Sequence, residues 1–185
     1  MVKFPSGTEG EYTIRFNANG AISDGAVFVV MVNGRFALVR QWRSPLSRWT
    51  VEIPRGFGDK ADNARTDKDK GIESITFKEM PINTVLREFQ EEVSATAKPD
   101  SITYLGALCE NSGTHNVLPS FYLVTLKVDE ASVAKLLVGS ETLQSVTVVL
   151  WDKERIQAEL GKEISDFHSV CALTLALNHL DHASQ

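Results

Sequence analysis

The sequence predicts an α+β fold, an α/β/α sandwich in which helices cover a mixed β-sheet. The first half of the 185-residue chain carries short β-branched and aromatic runs, whereas helical periodicity begins near residue 81. Strands resume further on and two helices close the chain, without the regular strand–helix alternation of a parallel βαβ fold. Because this length supports one well-buried core, we expect residues 1–185 to form a single domain.

The clearest local signal is a β-hairpin near residue 33. Ala26–Val32 and Phe36–Arg43 are the predicted strands. Between them, Asn33-Gly34 suits a turn in which both central residues have positive φ. Trp49–Ile53 is a further predicted strand, which ends where a proline and two glycines follow.

Later segments predict one amphipathic helix, three strands and two closing helices. The first helix starts at Pro81, and apolar side chains recur along it at helical spacing: Ile82, Val85, Leu86, Phe89 and Val93. The strands are Ile102–Cys109, Phe121–Val128 and Ser145–Trp151. The closing helices are Lys153–Leu160 and Phe167–Leu180, the second capped by Ser165 or Asp166.

Composition argues against several classes of protein. A net charge of −5 does not suit a protein that mainly binds the nucleic acid backbone. The N-terminus lacks a signal-peptide stretch and no apolar run is long enough for a membrane span. Cys109 and Cys171 show no metal-ligand spacing, so we expect buried free thiols. A cytoplasmic protein that binds neither nucleic acid nor membrane is the expectation.

Three glutamates lie opposite the apolar stripe of the first helix. Glu91 and Glu92 follow Glu88 by three and four positions, so the carboxylates project from one patch. Like charges at this spacing destabilise a helix by about 0.2–0.5 kcal/mol per pair, and Arg87 can offset one such term by pairing with Glu91. The patch is either a solvated acidic face or a site for Mg²⁺, which prefers carboxylate and phosphate oxygens.

The surrounding residues resemble the Nudix box, G-x5-E-x7-R-E-U-x-E-E-x-G-U, where U is apolar. Its members here are Gly58, Glu79 and the run Arg87-Glu88-Phe89-Gln90-Glu91-Glu92. Two features differ from the pattern. Twenty residues rather than five separate the glycine from the first glutamate, so the polar residues 59–77 are expected to form an inserted surface loop. Ser94 stands where a glycine is expected, which predicts a different helix end.

Further segments are similar to the ADP-ribose and nucleotide-sugar pyrophosphatase branch of that family. They are Leu38–Arg43 (LVRQWR), Val51–Gly58 (VEIPRGFG) and Gly161–Asp166 (GKEISD). The resemblance implies the Nudix fold, with a mixed sheet between helices and an antiparallel β extension at residues 1–25. It also implies a homodimer.

The resemblance further implies the residues of a metal site. Glu88 and Glu92 would be the principal ligands of Mg²⁺, for which Mn²⁺ could substitute. Glu91 would be a ligand or position water, and the backbone carbonyl of Phe57 would be another ligand. Arg87 would orient the glutamates with Glu79 as its partner; an ordinary surface pair with Glu91 is the alternative.

Substrate contacts and a general base are also implied. Arg40, Arg43 and Arg55 are candidates for phosphate contacts, because a guanidinium binds phosphate in bidentate geometry. Arg43 and Arg55 are preferred, because they flank the strand that leads into the metal loop. Gly58 would line the substrate site, and Glu52 would either contact a ribose or base edge or be structural. Glu141 is the candidate base, with an exposed loop acid as the alternative. His115 is expected to be a polar loop residue, with an acid/base group as the alternative. Trp42 and Trp49 are expected in the core, with stacking of an aromatic near the strand end on a base as the alternative.

The leading hypothesis is a Mg²⁺-dependent hydrolase. It would cleave the diphosphate linkage of a nucleoside diphosphate derivative, ADP-ribose or a nucleotide sugar, to a nucleoside monophosphate and a sugar phosphate. The alternatives are a Nudix-fold hydrolase of a dinucleotide or nucleoside triphosphate, and a non-catalytic nucleotide-sensing module. The set Glu88, Glu91 and Glu92 favours an enzyme, because a sensor has no need to hold like charges together.

Overall fold

Eleven β-strands and four α-helices make up the part of the chain that the structure describes. The computed structural model describes residues 2–3, 9–10, 25–56, 63–67, 72–77, 81–94, 96–111, 118–133, 136 and 147–183. The strands are β1 (Val2–Lys3), β2 (Glu9–Gly10), β3 (Ala26–Val32), β4 (Arg35–Arg43), β5 (Arg48–Glu52), β6 (Arg55–Gly56), β7 (Asn63–Asp67), β8 (Ile72–Phe77), β9 (Ser101–Ala107), β10 (Ser120–Leu126) and β11 (Thr147–Trp151). The helices are α1 (Pro81–Glu88), α2 (Glu130–Val133), α3 (Lys153–Glu159) and α4 (Phe167–Ala183). Two single turns complete the set, a 3-10 turn at Ser44–Leu46 and a π-helical turn at Phe89–Val93.

Strand β3 is the centre of a mixed sheet with the strand order β11-β4-β3-β10-β9. It runs parallel to β10, and the other pairs are antiparallel. One edge of β3 is taken by β10, so its two remaining partners share the other edge: β4 pairs with residues 30–32 and β6 with residues 26–27. The far half of β4 pairs with β5. Residues 48–56 therefore fill the gap where β3 and β4 diverge.

Two hydrophobic cores lie on opposite faces of this sheet. Alternate side chains of β3 point to opposite faces, and both sets are buried, which explains the continuous apolar run of this strand. On one face they pack with residues of α1 and the π turn, namely Val85, Phe89 and Val93. On the other face they pack with residues of α3 and α4, namely Ile156, Leu173 and Leu177. The predicted α/β/α sandwich is confirmed.

The predicted hairpin turn is confirmed at Asn33 and Gly34. Their φ angles are 50° and 81°, so both adopt the left-handed conformation that this turn requires. The Asn33 side chain also joins the turn to the end of β10. Its Nδ2 donates to the Val128 carbonyl at 2.8 Å, and its Oδ1 accepts from the Val128 N–H at 3.0 Å.

Several predicted boundaries need adjustment. Helix α4 continues to Ala183, and its cap is Asp166, whose Oδ2 accepts the Ser169 N–H at 3.0 Å. The expectation that Trp42 and Trp49 lie in the core is wrong, because they are 40% and 43% exposed. They lie opposite each other near the far end of the β4–β5 pair. Both cysteines are free thiols, as expected, but they are half-buried rather than buried.

Residues 59–77, expected as a surface loop without regular structure, contain a β-hairpin. Strand β7 pairs antiparallel with β8. The β-branched and aromatic residues of β8 favour a strand, but they follow a polar sequence that is typical of a loop.

At the N-terminus, β1 pairs antiparallel with β2, in agreement with the predicted extension. Within the described ranges, no helix has the length and apolar character needed to cross a bilayer.

The turn residue gives a test of the hairpin. Asn33→Ala removes two hydrogen bonds and places an alanine at positive φ, so we expect the free energy of unfolding to fall by about 2–3 kcal/mol. Urea denaturation measures this difference. Asn33→Gly is the matched control, because it removes the same bonds without the backbone strain and is expected to lose about 1 kcal/mol less. Equal losses in the two variants would contradict the strain at this position.

Candidate active site

Helix α1 is held in place by the packing of its apolar face. Pro81 occupies its first position, where the missing N–H costs little. Val85 and Phe89 are fully buried, and the helix packs against β3 and β6. Leu86, expected in the same stripe, is 39% exposed, so the buried stripe is narrower than predicted. The packing sets the direction in which Arg87 and Glu88 leave the helix.

The helix does not continue as an α-helix through the glutamates. From Phe89 to Val93 it forms a π turn, which the Ser94 N–H closes by donating to the Phe89 carbonyl at 2.9 Å. The extra residue in this turn changes the direction of Glu91 relative to Glu88, so the uniform α-helical spacing expected there is wrong. Single π turns inside helices occur frequently at functional sites.

Ser94 ends the helix by a different route from the glycine of the Nudix pattern. Its φ is −164°, an extended conformation that any residue adopts. Its Oγ then accepts the Ala97 N–H at 3.0 Å, which turns the following chain. The different helix end expected from Ser94 is therefore present, and it needs no left-handed residue.

Arg87 holds two of the three predicted carboxylates. Its Nη1 lies 2.8 Å from Glu88 Oε1 and 3.0 Å from Glu91 Oε2. The pair with Glu88 is largely buried, since the side chains of Arg87 and Glu88 are 18% and 11% exposed. Glu91 is 58% exposed, so its i,i+4 contact with Arg87 is the surface pair given as the alternative. One guanidinium nitrogen between the two carboxylates offsets their repulsion and keeps both oxygens on the same side of the helix.

The donor chemistry of this cluster fits a hard divalent cation. Glu88 and Glu91 supply carboxylate oxygens only, the ligands that Mg²⁺ prefers. The remaining predicted ligands, the Glu92 side chain and the Phe57 carbonyl, lie outside the described residues. In the part of the chain that the structure describes, no three acidic, His or Cys side chains are grouped for metal binding. The magnesium site stays a prediction.

A second polar cluster surrounds Glu52 at the gap between β3 and β4. The carboxylate is 3% exposed and forms a bidentate ion pair with Arg43, whose Nε donates to Oε1 at 2.8 Å while Nη2 donates to Oε2. Thr50 Oγ1 donates to Oε1 at 2.8 Å, and Gln41 Nε2 donates to Oε2 at 3.3 Å. Each oxygen of this buried carboxylate therefore has two donors, which offset the cost of burying the charge.

These contacts keep both partners charged. Burial raises the pKa of Glu52, but the hydrogen bonds from Arg43 and Thr50 outweigh burial and hold that pKa below its ordinary value. The hydrogen bond to Glu52 raises the pKa of Arg43 further above its ordinary value. Asp166, at the start of α4, acts on both groups: it raises the pKa of Arg43 and opposes the lowering at Glu52.

Glu88 and the Arg43–Glu52 pair lie on the same face of the sheet. The Ala37 side chain belongs to the core formed with α1, and alternate residues along β4 share its face, so Arg43 points to the α1 side. Arg40 points to the opposite face, where its guanidinium lies 5.1 Å from the Trp49 ring. Arg43 and not Arg40 therefore shares a sheet face with Glu88, and phosphate binding by Arg43 stays a prediction.

Other predicted site residues cannot be placed in the same detail. Arg55 lies in β6 opposite Val27, but its side chain is outside the described part of the structure. The remaining members are wholly outside it: Gly58, Glu79, His115 and Glu141. Sequence reasoning missed Gln41 and Thr50 as partners of Glu52. The β4–β5 register brings them together, because Gln41 lies opposite Thr50 on the face that Glu52 shares, and the residue pattern alone does not give that register.

Comparisons with known proteins support the fold. One solved structure, described as the crystal structure of an ADP compounds hydrolase, matches with a TM-score of 0.57 and 15% sequence identity. The match covers 86% of this chain and 73% of the other. No protein-family model matches the sequence, and no curated protein matches it. The likeness confirms the Nudix-like fold predicted from the sequence.

The Glu52 pair predicts a specific acid dependence of stability. Because the pKa of Glu52 in the folded protein is below its ordinary value of 4.5, the pair stabilises the protein above that pH and loses this effect as the pH falls through the folded pKa. Glu52→Gln lacks the titrating group. We expect the wild type to lose more unfolding free energy than the variant between roughly pH 6 and pH 3, measured by urea denaturation. If the unfolding free energies of the two proteins changed equally with pH, the stabilising effect of the Arg43–Glu52 ion pair would be contradicted.

Proposed function

We propose that this protein is a Mg²⁺-dependent hydrolase of the diphosphate linkage in a nucleoside diphosphate derivative, with ADP-ribose or a nucleotide sugar as substrate. The observation that carries the proposal is the Arg87 bridge between Glu88 and Glu91. It keeps two carboxylates together on the sheet face that also bears Arg43. A likeness in fold to an ADP compounds hydrolase supports the same class of substrate.

In this proposal the glutamates beside Arg87 act on the metal, and Arg43 beside Glu52 acts on the phosphates. A carboxylate cluster repels a diphosphate by itself, so the glutamates require a cation between them and the substrate. When bound, Mg²⁺ supplies charge neutralisation and an activated water. Arg87 orients the Glu88 and Glu91 carboxylates, and Arg43 contributes positive charge for the phosphate oxygens. Glu92, the Phe57 carbonyl and the candidate base Glu141 complete the proposed site from the sequence pattern.

The decisive experiment is a panel of substrates with and without magnesium. ADP-ribose, a nucleotide sugar, a dinucleotide and a nucleoside triphosphate are each incubated with the protein, and the products are separated by chromatography. AMP and ribose 5-phosphate from ADP-ribose, formed only with the metal, are the expected result. Binding of a nucleotide without turnover would instead indicate a sensing module. Size-exclusion chromatography with light scattering tests the homodimer that the resemblance implies.

The metal ligands predict a separation of activity from stability. Glu92→Gln removes a proposed ligand and relieves repulsion between like charges, so turnover should fall by at least about 10²-fold while the melting temperature is unchanged or higher. Steady-state kinetics and thermal denaturation measure the two quantities. Glu154→Gln is the control, because it removes a carboxylate from the first turn of α3, on the other side of the sheet. Wild-type turnover in Glu92→Gln would remove this residue from the site.

A further inference from the structure

We propose that Glu52 is a positioning residue, which holds the guanidinium of Arg43 so that its Nη1 edge binds the diphosphate of the substrate. This inference rests on the proposed function. It assigns Glu52 a task that differs from both roles expected from the sequence, a contact with ribose or base and a purely structural part. Four observations on the two residues lead to it.

Glu52 itself is closed to a ligand. Its side chain is 3% exposed, and its two oxygens accept from Arg43, Thr50 and Gln41. A substrate hydroxyl would have to displace one of these donors and enter a buried space. The geometry therefore argues against direct recognition of a ribose or a base by this carboxylate.

Arg43 is held but still accessible. The bidentate pair uses the Nε and Nη2 sides of the guanidinium, and the side chain remains 34% exposed. A guanidinium has five N–H donors, so the Nη1 edge keeps the planar geometry that suits phosphate oxygens. Its orientation is settled on folding, and less side-chain entropy is lost when a ligand binds.

The support for this orientation extends beyond the pair. Thr50 and Gln41 hold Glu52 from the adjacent positions of β5 and β4. Next to Glu52 along the chain, the Ile53 N–H donates to Ser169 Oγ of α4 at 3.2 Å, and that hydroxyl donates to Asp166 at 2.9 Å. Helix α4 thus fixes the end of the strand on which Glu52 lies. The position of the carboxylate is therefore rigid, and so is that of the Arg43 guanidinium bound to it.

Arg43 is also connected to the carboxylate cluster through the fold. Its side chain points to the α1 face of the sheet. Three residues after Glu52, β6 begins, and β6 packs against α1, which carries Glu88. A short segment therefore links the Arg43–Glu52 pair to the carboxylate cluster, which suits one ligand with two adjacent phosphates.

The test measures binding of the non-hydrolysable α,β-methylene analogue of ADP-ribose by titration calorimetry in the presence of Mg²⁺, so that the metal is available and no turnover occurs. Arg43→Ala should weaken binding by about 10- to 100-fold, the range for a lost hydrogen bond to a charged group. Glu52→Gln should weaken it by about tenfold, because Arg43 keeps its charge but loses its fixed orientation. The double variant should bind no more weakly than Arg43→Ala alone, since Glu52 acts through Arg43.

Two further variants separate positioning from general effects. Thr50→Val removes one donor to Glu52 at little change in volume, so it should weaken binding slightly in the wild type and not at all when Arg43 is alanine. If Glu52→Gln does not fold, Thr50→Val still tests whether Glu52 positions Arg43. Glu130→Gln is the charge-matched control, because Glu130 forms an exposed pair with Arg35 at 3.8 Å, and it should bind as the wild type does.

The outcomes distinguish this inference from the proposed function. Additive losses in the double variant would show that Glu52 contacts the ligand, and wild-type affinity in a folded Glu52→Gln would show a structural role only; either result overturns the inference and leaves hydrolysis standing. Tight binding with the expected coupling but without turnover in magnesium would support the inference and overturn the hydrolase. If the wild type bound neither this analogue nor a nucleotide sugar, both would be overturned.

Discussion

Burial of strand β3 on both faces is the constraint on which the rest of the structure depends. No side of this strand faces water, so helices must cover the sheet from both directions, and α1 and α4 do so. The same packing determines where polar groups can appear. They appear where the apolar layers end, beside the buried stripe of α1 and in the gap that β5 and β6 fill.

Much of this arrangement could be predicted from residue patterns. The Asn33-Gly34 turn, the apolar run of β3 and the periodicity after Pro81 each reflect a local preference that the folded protein keeps. Long-range pairing was not predictable in this way. The register of β6 with β3 and the parallel alignment of β10 depend on how separate segments meet, and two adjacent residues such as Arg55 and Gly56 carry no strand signal of their own.

In the candidate site, too, local features could be predicted from the sequence and contacts between distant segments could not. The glutamates and Arg87 were found because their spacing is local, within one helical segment. The change to a π turn at Phe89 was not predicted, because helical periodicity does not show whether an N–H bonds to the carbonyl four or five residues before it. The donors to Glu52 were missed for a related reason: a carboxylate in a strand looks like an exposed charge until its cross-strand neighbours are known.

The parallel pairing of β3 with β10 also bears on how the chain acquires its structure during synthesis. The turn residue Asn33 and its partner Val128 are 95 positions apart. Until the ribosome has released the second of these segments, one edge of the central strand lacks its neighbour and stays open to pairing with other chains. We therefore expect the central sheet to close only after β10 has been synthesised, because a contact between segments so far apart in the sequence cannot form earlier.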